Sequence, residues 1–223
     1  MLNKITTLIL TSIIILFSTN SKAAQVSLEN PYVAIKKIAG NTFDRLAKDQ
    51  SVINDDPNHL KVVVEEELLP YIDYKYAALK VLGSYISKVK NIEDKAERKK
   101  EYVKIKRFIG VFKGYLVTTY AGVFTQYTDQ MVKFDSAQKL ENKTKVKVGT
   151  RIVEEGKPDI RISFKMKKSK KGQWRAYDMI AEGISLLDAK QSELHGILRK
   201  EGIDHVITLL ENKSKLPIQV KGK

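Results

Sequence analysis

Residues 174–188 read W-R-A-Y-D-M-I-A-E-G-I-S-L-L-D, and this stretch decides the fold because it joins a strand to a helix. Residues 174 to about 181 follow two alternating runs and are predicted to form the last strand of a sheet. Gly183 permits a sharp turn, and Ser185 with Asp188 matches the serine-x-x-acid pattern that caps a helix. The sequence therefore predicts a sheet that ends in a corner and continues as a helix.

Two acids in this stretch, Asp178 and Glu182, raise the alternative of an active site or a metal site. Acids four residues apart share a face on a helix, but they do not share one across a strand and its turn. We therefore interpret both carboxylates as groups that bond backbone or basic side chains and fix the corner.

Upstream of the corner, apolar and polar residues alternate with the period of a strand. Residues 143–153 and 159–167 place apolar side chains on one face and lysines or arginines on the other. The connectors carry turn residues at hairpin length, and a short strand is expected at Met131–Phe134. These patterns predict an antiparallel meander of about four half-buried strands with one basic face.

The rest of the chain has the spacing of amphipathic helices. About six helices are expected, over residues 31–50, 57–69, 74–86, 93–127, 186–200 and 203–212, the fourth as one long helix or as two that share an axis. Asp56 and Asp73 can cap two of them, Pro70 should stop the second, and Gly202 should separate the last two. The predicted fold class is α+β, a mostly antiparallel curved sheet of about four strands covered by about six helices.

The N-terminus has the features of a secretory signal peptide. Lys4 precedes an apolar and hydroxyl run over residues 5–17, and Ser21 and Ala23 are the small residues expected before a cleavage site. The run is shorter than the roughly 20 residues of a membrane-spanning helix, which argues against an uncleaved anchor. We expect residues 1–23 to be removed.

Residues 24–223 are expected to form one domain, because a chain of about 200 residues can bury a sizeable core. The sequence has no cysteine, so folding needs no disulfide in an oxidising compartment and a lipoprotein anchor is excluded. The N-terminal signal then predicts a free, soluble protein outside the cytoplasm.

The chain is basic, with 40 lysines and arginines against 26 acids and a formal charge of +14. Nucleic acid and membrane surfaces both attract such a protein, and outside the cytoplasm the membrane is the expected anion, not nucleic acid. The cations are spread over helices and strand faces, which is typical of ordinary solvation. Attraction to anionic headgroups or acidic proteins is the alternative.

Patterns for enzymes and metal sites are absent from the sequence. His59, His195 and His205 lie in predicted helices without a metal-ligand spacing, and we interpret them as surface residues. The chain has no phosphate-binding G-x-x-x-x-G-K, no G-x-S-x-G and no cysteine nucleophile. We therefore expect no catalytic residue, no metal and no cofactor.

Tyrosine and phenylalanine side chains concentrate between residues 71 and 127, in the third and fourth predicted helices. Such a cluster fits either plain packing against a sheet or the lining of a cavity. Tyrosine suits a cavity because it presents apolar area inward and a hydroxyl at the rim.

Three segments carry a resemblance to a known family, namely residues 173–187, 196–210 and 68–83. The strand-to-helix corner with Tyr177-Asp178 and Glu182-Gly183 is the most specific, followed by the L-P-Y and V-L-G pair. The chain resembles the MlaC family of periplasmic phospholipid-binding proteins, which serves the maintenance of lipid asymmetry and includes toluene-tolerance auxiliary proteins.

The resemblance implies helices over a mostly antiparallel sheet and a deep pocket for the acyl chains of a glycerophospholipid, whose headgroup stays near solvent. Phospholipid would be a ligand and not a cofactor. The implied partners are an outer-membrane lipoprotein and porin complex and an inner-membrane ABC transporter with an MCE-ring subunit. A carrier of this kind is expected to be a monomer.

From the phase of each element, twelve side chains are expected in or near this pocket. They are Tyr74, Leu79, Leu82, Phe108, Phe112, Tyr115, Leu116, Ile152, Ile162, Phe164, Trp174 and Met179. Strict alternation places Trp174 and Met179 on opposite faces of their strand, so that at most one of the two can face the lipid.

Two other functions compete with a lipid carrier. One is a small-molecule enzyme built on a cone-shaped α/β pocket, with Asp178 as its base. The other is an adaptor outside the cytoplasm that holds acidic proteins on its basic face and has a filled core. Phospholipid that co-purifies with the protein distinguishes the carrier from both.

Overall fold

A single antiparallel sheet and seven α-helices make up the computed structural model, which describes residues 26–125 and 131–219. The signal peptide predicted over residues 1–23 and the end of the helix predicted over residues 93–127 lie outside the described residues. None of the helices within these ranges is long and apolar enough to cross a membrane.

The sheet has five strands in sequence order, which confirms the predicted meander. The strands are β1 (Met131–Phe134), β2 (Lys145–Val153), β3 (Ile160–Lys168), β4 (Trp174–Ala181) and β5 (Ile184–Ser185). Strand β5 was not predicted, because two residues are too few to show a period.

A β-bulge interrupts strand β4. Lys165 on β3 pairs with Asp178, whereas its neighbour Met166 pairs with Ala176, so Tyr177 is an extra residue without a partner. A bulge of this kind changes which face of the sheet the following side chains share.

Three separate segments cover the outer edge of β4. The backbone N–H of Trp174 donates to the carbonyl of Leu28 at 2.7 Å, and the N–H of Asp73 donates to the carbonyl of Ala176 at 2.7 Å. Strand β5 pairs with the remaining end of β4. The edge is therefore hydrogen-bonded along much of its length.

The helices enclose the sheet from one side and one end. They are α1 (Pro31–Lys48), α2 (Gln50–Asp55), α3 (His59–Val63), α4 (Tyr74–Leu82), α5 (Ser84–Lys90), α6 (Lys95–Phe124) and α7 (Leu186–Lys215). The predicted cap at Asp73 is confirmed, since its carboxylate accepts a hydrogen bond from the N–H of Tyr76 at 3.1 Å.

The second and third helices differ from the prediction. After α3 the chain forms a π-helical turn, Val64–Leu68, and a 3-10 turn, Leu69–Tyr71, that includes Pro70. A proline is tolerated in the first turn of a helix, where its missing N–H has no partner to lose.

The predicted third helix is divided at Gly83, whose φ of 51° is in the left-handed region. A Cβ at this position would lie 2.6 Å from the side-chain nitrogen of Gln191. Gly202 separates the last two helices as predicted, because its backbone is non-helical, with φ of 81° and ψ of 175°; the label α7 covers both halves.

The buried core is divided into clusters that lie around the space above the sheet. The largest is formed by α4 to α7 and includes Phe108 and Leu194. A second cluster includes Leu46 and Leu60, and a third includes Trp174 under α1. Most of the tightest packing is therefore between helices, and the space between α1, α6 and the sheet is left open.

Candidate functional site

An apolar cavity of about 200 Å³ lies between the sheet and helices α1 and α6. Strands β2, β3 and β4 form its floor with Ile152, Ile162, Phe164 and Met179. Helix α1 and the segments near it form the opposite wall. The further lining side chains include Ile35, Ile38, Ala39, Thr42, Phe43, Leu68, Tyr71, Val123, Phe124, Val132 and Phe134.

Two threonines in the lining do not make the cavity polar. The hydroxyl of Thr42 donates to the carbonyl of Ile38 at 2.8 Å, and the hydroxyl of Thr150 donates to the carbonyl of Ile162 at 3.1 Å. Both hydroxyls are engaged with backbone acceptors. The cavity therefore suits a ligand that makes no directional hydrogen bonds along its length.

A second cavity of about 280 Å³ lies between β4 and helices α4, α6 and α7. Its apolar walls include Phe112 and Leu116, and its lining also contains Lys190 and Glu193. These two side chains form an ion pair, and the Lys190 ammonium lies 4.9 Å from the centre of the Tyr115 ring. This cavity combines apolar walls with a charged group of side chains.

The two cavities share part of their lining, and the shared residues include Tyr120, Asp178 and Met179. Burial raises the pKa of the Tyr120 phenol to about 12, and the negative charge of Asp178 contributes to the rise. Tyr120 is consequently a neutral, partly apolar element of the boundary between the cavities at any physiological pH.

Asp178 is fixed at the corner by three contacts. Its carboxylate lies 2.8 Å from the Lys165 ammonium and accepts hydrogen bonds from the Ser185 hydroxyl at 2.7 Å and the Leu187 N–H at 3.0 Å. The Asp178 side chain is 0% exposed. The hydrogen bond to Asp178 raises the pKa of Lys165, so this lysine remains charged. The predicted structural role of Asp178 is confirmed.

Glu182 has the role predicted for it as well. Its carboxylate accepts a hydrogen bond from the backbone N–H of Arg161, and with Gly183 it forms the turn between β4 and β5. Both turn residues have positive φ, 48° and 83°. The Ser185 hydroxyl accepts from the N–H of Asp188 at 3.1 Å, which confirms the predicted cap of α7.

Seven of the twelve predicted pocket residues lie at one or both cavities. The first cavity is lined by Ile152, Ile162, Phe164 and Met179, and the second by Phe112, Tyr115, Leu116 and again Met179. Four of these come from the floor strands, where alternation identifies the inward face.

The other five predicted residues lie outside both linings. Leu82 and Phe108 are buried in the helical core, Trp174 is buried under α1, and Tyr74 packs against the second cluster. Leu79 is 39% exposed on the outside of α4. Helical phase shows that a side chain points inward, but it does not show whether a helix or a cavity lies beside it.

Trp174 and Met179 face the same side of the sheet, although strict alternation predicts opposite sides. Trp174 pairs with Lys168 and Met179 with Phe164, and these two partners lie on one face of β3. The extra residue in β4 causes the difference. Met179 reaches the first cavity, whereas Trp174 is covered by α1.

Residues of α1 line the cavity but were absent from the predicted set. Ile35, Ile38, Ala39 and Thr42 recur at steps of three and four, which is the signal for an inward helical face. The spacing alone does not distinguish a face that covers a cavity from one that packs against a sheet.

The histidines make local contacts. The ring Nε2 of His59 lies 2.7 Å from the Asp49 carboxylate, and that of His205 lies 3.0 Å from Glu201. Within residues 26–125 and 131–219, no group of three or more histidine, aspartate or glutamate side chains is placed to hold a metal ion.

Comparison with known proteins identifies the family to which the chain belongs. The model of the family described as MlaC protein matches residues 36–212, which is well over half of the chain. The chain belongs to the MlaC family. The intermembrane phospholipid transport system binding protein MlaC of Haemophilus influenzae is 32% identical over 216 residues, covering 96% of this chain and 93% of that protein.

A solved structure shares the fold of this MlaC-family chain. The phospholipid-binding protein from Ralstonia solanacearum, determined in complex with a phospholipid, superimposes with a TM-score of 0.68. The match covers 83% of this chain and 97% of that one at 17% sequence identity, so it bears on the fold alone. The predicted α+β architecture and the family resemblance are both confirmed.

Proposed function

We propose that this MlaC-family protein is a soluble periplasmic carrier that shuttles glycerophospholipid between the outer and inner membranes. The observation that carries the proposal is the first cavity, whose floor and walls are apolar side chains and whose two threonine hydroxyls are engaged internally. Acyl chains match such a lining because they have no polar groups to satisfy.

The energetics suit a protein that both accepts and releases lipid. Removing acyl chains from water is favourable by about 0.8 kcal/mol per CH₂ group, or on the order of 20 kcal/mol for two chains. A bilayer gives nearly the same stabilisation. Exchange between the bilayer and an apolar cavity is therefore close to balanced, and partners determine the direction of transport.

The relative from Haemophilus influenzae supports this function. Its name places it in an intermembrane phospholipid transport system, and its identity to this chain extends over nearly the whole length of both proteins. By extension, residues 1–23 are proposed to direct export and residues 24–223 to form the lipid-binding domain. The proposed partners remain the outer-membrane lipoprotein and porin complex and the inner-membrane ABC transporter with its MCE-ring subunit.

The contacts of Asp178 favour a carrier over an enzyme that uses this residue as its base. The carboxylate is bonded to an ammonium, a hydroxyl and a backbone N–H, all of which belong to the corner. A general base needs a lone pair directed at its substrate. Transfer of an intact lipid requires no bond to be made or broken.

Mass spectrometry of the protein purified from the periplasm tests the proposal. Wild-type protein is expected to retain phospholipid that solvent extraction removes. Ile162→Glu places a charge in the cavity floor, and is expected to abolish retention because an unpaired charge in an apolar site is strongly unfavourable.

The matched control is Ile160→Glu, two residues away on the same face of β3 and 47% exposed. This variant should retain lipid as the wild type does. Wild-type protein without phospholipid, or a folded Ile162→Glu variant with normal lipid content, would contradict the carrier assignment.

A further inference from the structure

The sheet face that points away from the cavity is strongly basic. Five cations on neighbouring strands define what we call the basic sheet face: Lys145, Lys147, Lys165, Lys167 and Arg175. The sequence predicted one basic face for these strands, and a lipid cavity on the opposite side does not account for it.

The strand register brings like charges directly opposite one another. Lys145 pairs with Lys167, and Lys167 pairs in turn with Arg175, which gives a row of three cations across three strands. In the adjacent row Lys147 pairs with Lys165. Like charges at directly opposed positions destabilise a sheet, so stability does not explain this arrangement.

Carboxylates neutralise only part of the basic sheet face. Lys165 lies 2.8 Å from Asp178 and 3.6 Å from Asp188. Within the described ranges, no carboxylate lies within 4.0 Å of the side-chain nitrogens of the other four cations. Of these four, Lys145 and Lys147 are exposed and accessible to an external anion, whereas Lys167 and Arg175 are half-buried.

An aromatic pair lies beside these cations. The Lys167 ammonium is 4.2 Å from the centre of the Tyr76 ring, and this ring meets the Tyr177 ring edge-on at 5.1 Å. Tyrosine and arginine are enriched at protein interfaces, and the tyrosine ring adds apolar contact area at low entropic cost.

The position of the cavity distinguishes between two kinds of anionic partner. Phe164 and Met166 alternate with Lys165 and Lys167 along β3, so the cavity and the basic sheet face are on opposite sides of one sheet. Flat binding to a bilayer would place the sheet between the membrane and the cavity. A protein bound to this face leaves the cavity accessible.

We propose that the basic sheet face is a docking surface for a protein that presents a cluster of carboxylates. The docking surface does not depend on the carrier function, because none of its lysines lines either cavity. Its one connection to the cavities is the ion pair of Lys165 with Asp178, a residue in both linings. Charge pairs across such an interface would increase the association rate and give it a strong salt dependence.

A triple variant of the mature protein, Lys145→Gln with Lys147→Gln and Lys167→Gln, tests the proposal with a fluorescent oligoglutamate peptide as the probe. At low salt, affinity for the peptide is expected to fall about tenfold, because each exposed pair contributes up to roughly 1 kcal/mol. The control removes the same charge from exposed positions on α6, by Lys95→Gln with Lys99→Gln and Lys100→Gln. Its affinity should change less than about twofold.

Equal losses in the two triple variants would overturn the proposal, because binding would then depend only on total charge. Vesicles of phosphatidylglycerol and phosphatidylcholine test the other partner class, and the two variants should lose vesicle binding equally. If the basic-face variant alone loses affinity, and loses more of it for vesicles than for the peptide, the partner is a lipid surface and the protein-docking proposal is overturned. Bound phospholipid should match the wild type in both variants, which separates this test from that of the carrier.

Discussion

The ammonium of Lys165 lies 2.8 Å from the carboxylate of Asp178, and this pair connects the outward face of β3 to the start of α7. Lys165 is 31% exposed while the Asp178 side chain is fully buried, so the pair joins a cation near solvent to a residue in the lining of both cavities. The corner that decides the fold is thus also part of the wall of the candidate site.

Replacing Asp178 with alanine should destabilise the protein by about 2–4 kcal/mol, because the Ser185 hydroxyl, the Leu187 N–H and Lys165 lose their common partner. Urea denaturation measures the change. Glu182→Ala is the comparison at the exposed turn and should lower stability by about 1 kcal/mol or less. Similar losses for the two variants would contradict the anchoring role of Asp178.

Phenylalanines in the core and in the cavity floor should respond differently to truncation. Phe108→Ala is expected to lower the free energy of unfolding by about 3–5 kcal/mol, since the ring is fully buried among helices. Phe164→Ala should be milder, at about 1–2 kcal/mol, because that ring already borders open space. Guanidinium denaturation distinguishes the two, and the reverse order would contradict the position of the cavity.

Filling the first cavity should reduce lipid binding without unfolding the protein. Ala39→Phe adds a ring to the α1 wall, and we expect loss of most bound phospholipid with stability unchanged or raised by about 0.5–2 kcal/mol. Ala47→Phe, at an exposed position of the same helix, is the control. Native mass spectrometry gives the lipid content, and normal content in Ala39→Phe would place the acyl chains elsewhere.

The Asp49 carboxylate gives a pH-dependent contribution to stability. Hydrogen bonds from Arg45 and then His59 lower the pKa of Asp49 below its ordinary value of 3.8. A lowered carboxyl pKa in the folded protein means that the stabilisation is complete above the unfolded value and is lost as the pH falls through the folded value.

Asp49→Asn should therefore destabilise the protein by about 1 kcal/mol at neutral pH, and the difference from the wild type should shrink below about pH 4. Thermal unfolding across this range measures it. Asp44→Asn, at an exposed position of α1, is the control and should show little difference at any pH. If the wild type remains more stable than Asp49→Asn in acid, the lowered pKa of Asp49 is not the source of the difference.

Opposed lysines on the basic sheet face should lower stability. Lys147→Thr removes one member of the Lys147 and Lys165 pair and introduces a residue that favours strands, so we expect a gain of about 0.5 kcal/mol. Thermal unfolding at low salt should show the gain, and added salt should reduce it. A loss of stability would indicate that Lys147 supports the sheet.

The strands and the corner were predictable because their signals are local. Alternation identified β2, β3 and β4, and the cap at Ser185 depends on residues three apart in the sequence. The division of the third helix at Gly83 was missed, although a glycine there is visible, because the close approach of Gln191 is a tertiary contact.

The bulge and the cavity could not be predicted from sequence patterns. The extra residue Tyr177 in β4 does not disturb the composition of the strand, yet it reverses the predicted relation of Trp174 and Met179. In the same way, Leu82 and Ile38 have equal helical signals, but one packs against another helix and the other borders empty space.

The covered edge of β4 has a consequence for the order of folding. Leu28 and Ile72, which pair with the first half of this strand, precede it in the chain, and β5 follows it after one tight turn. When the chain emerges N-terminus first, the segments around Leu28 and Ile72 are therefore present before β4, and β5 follows directly after it. The outer edge of β4, which could otherwise pair with another molecule, is therefore uncovered only briefly.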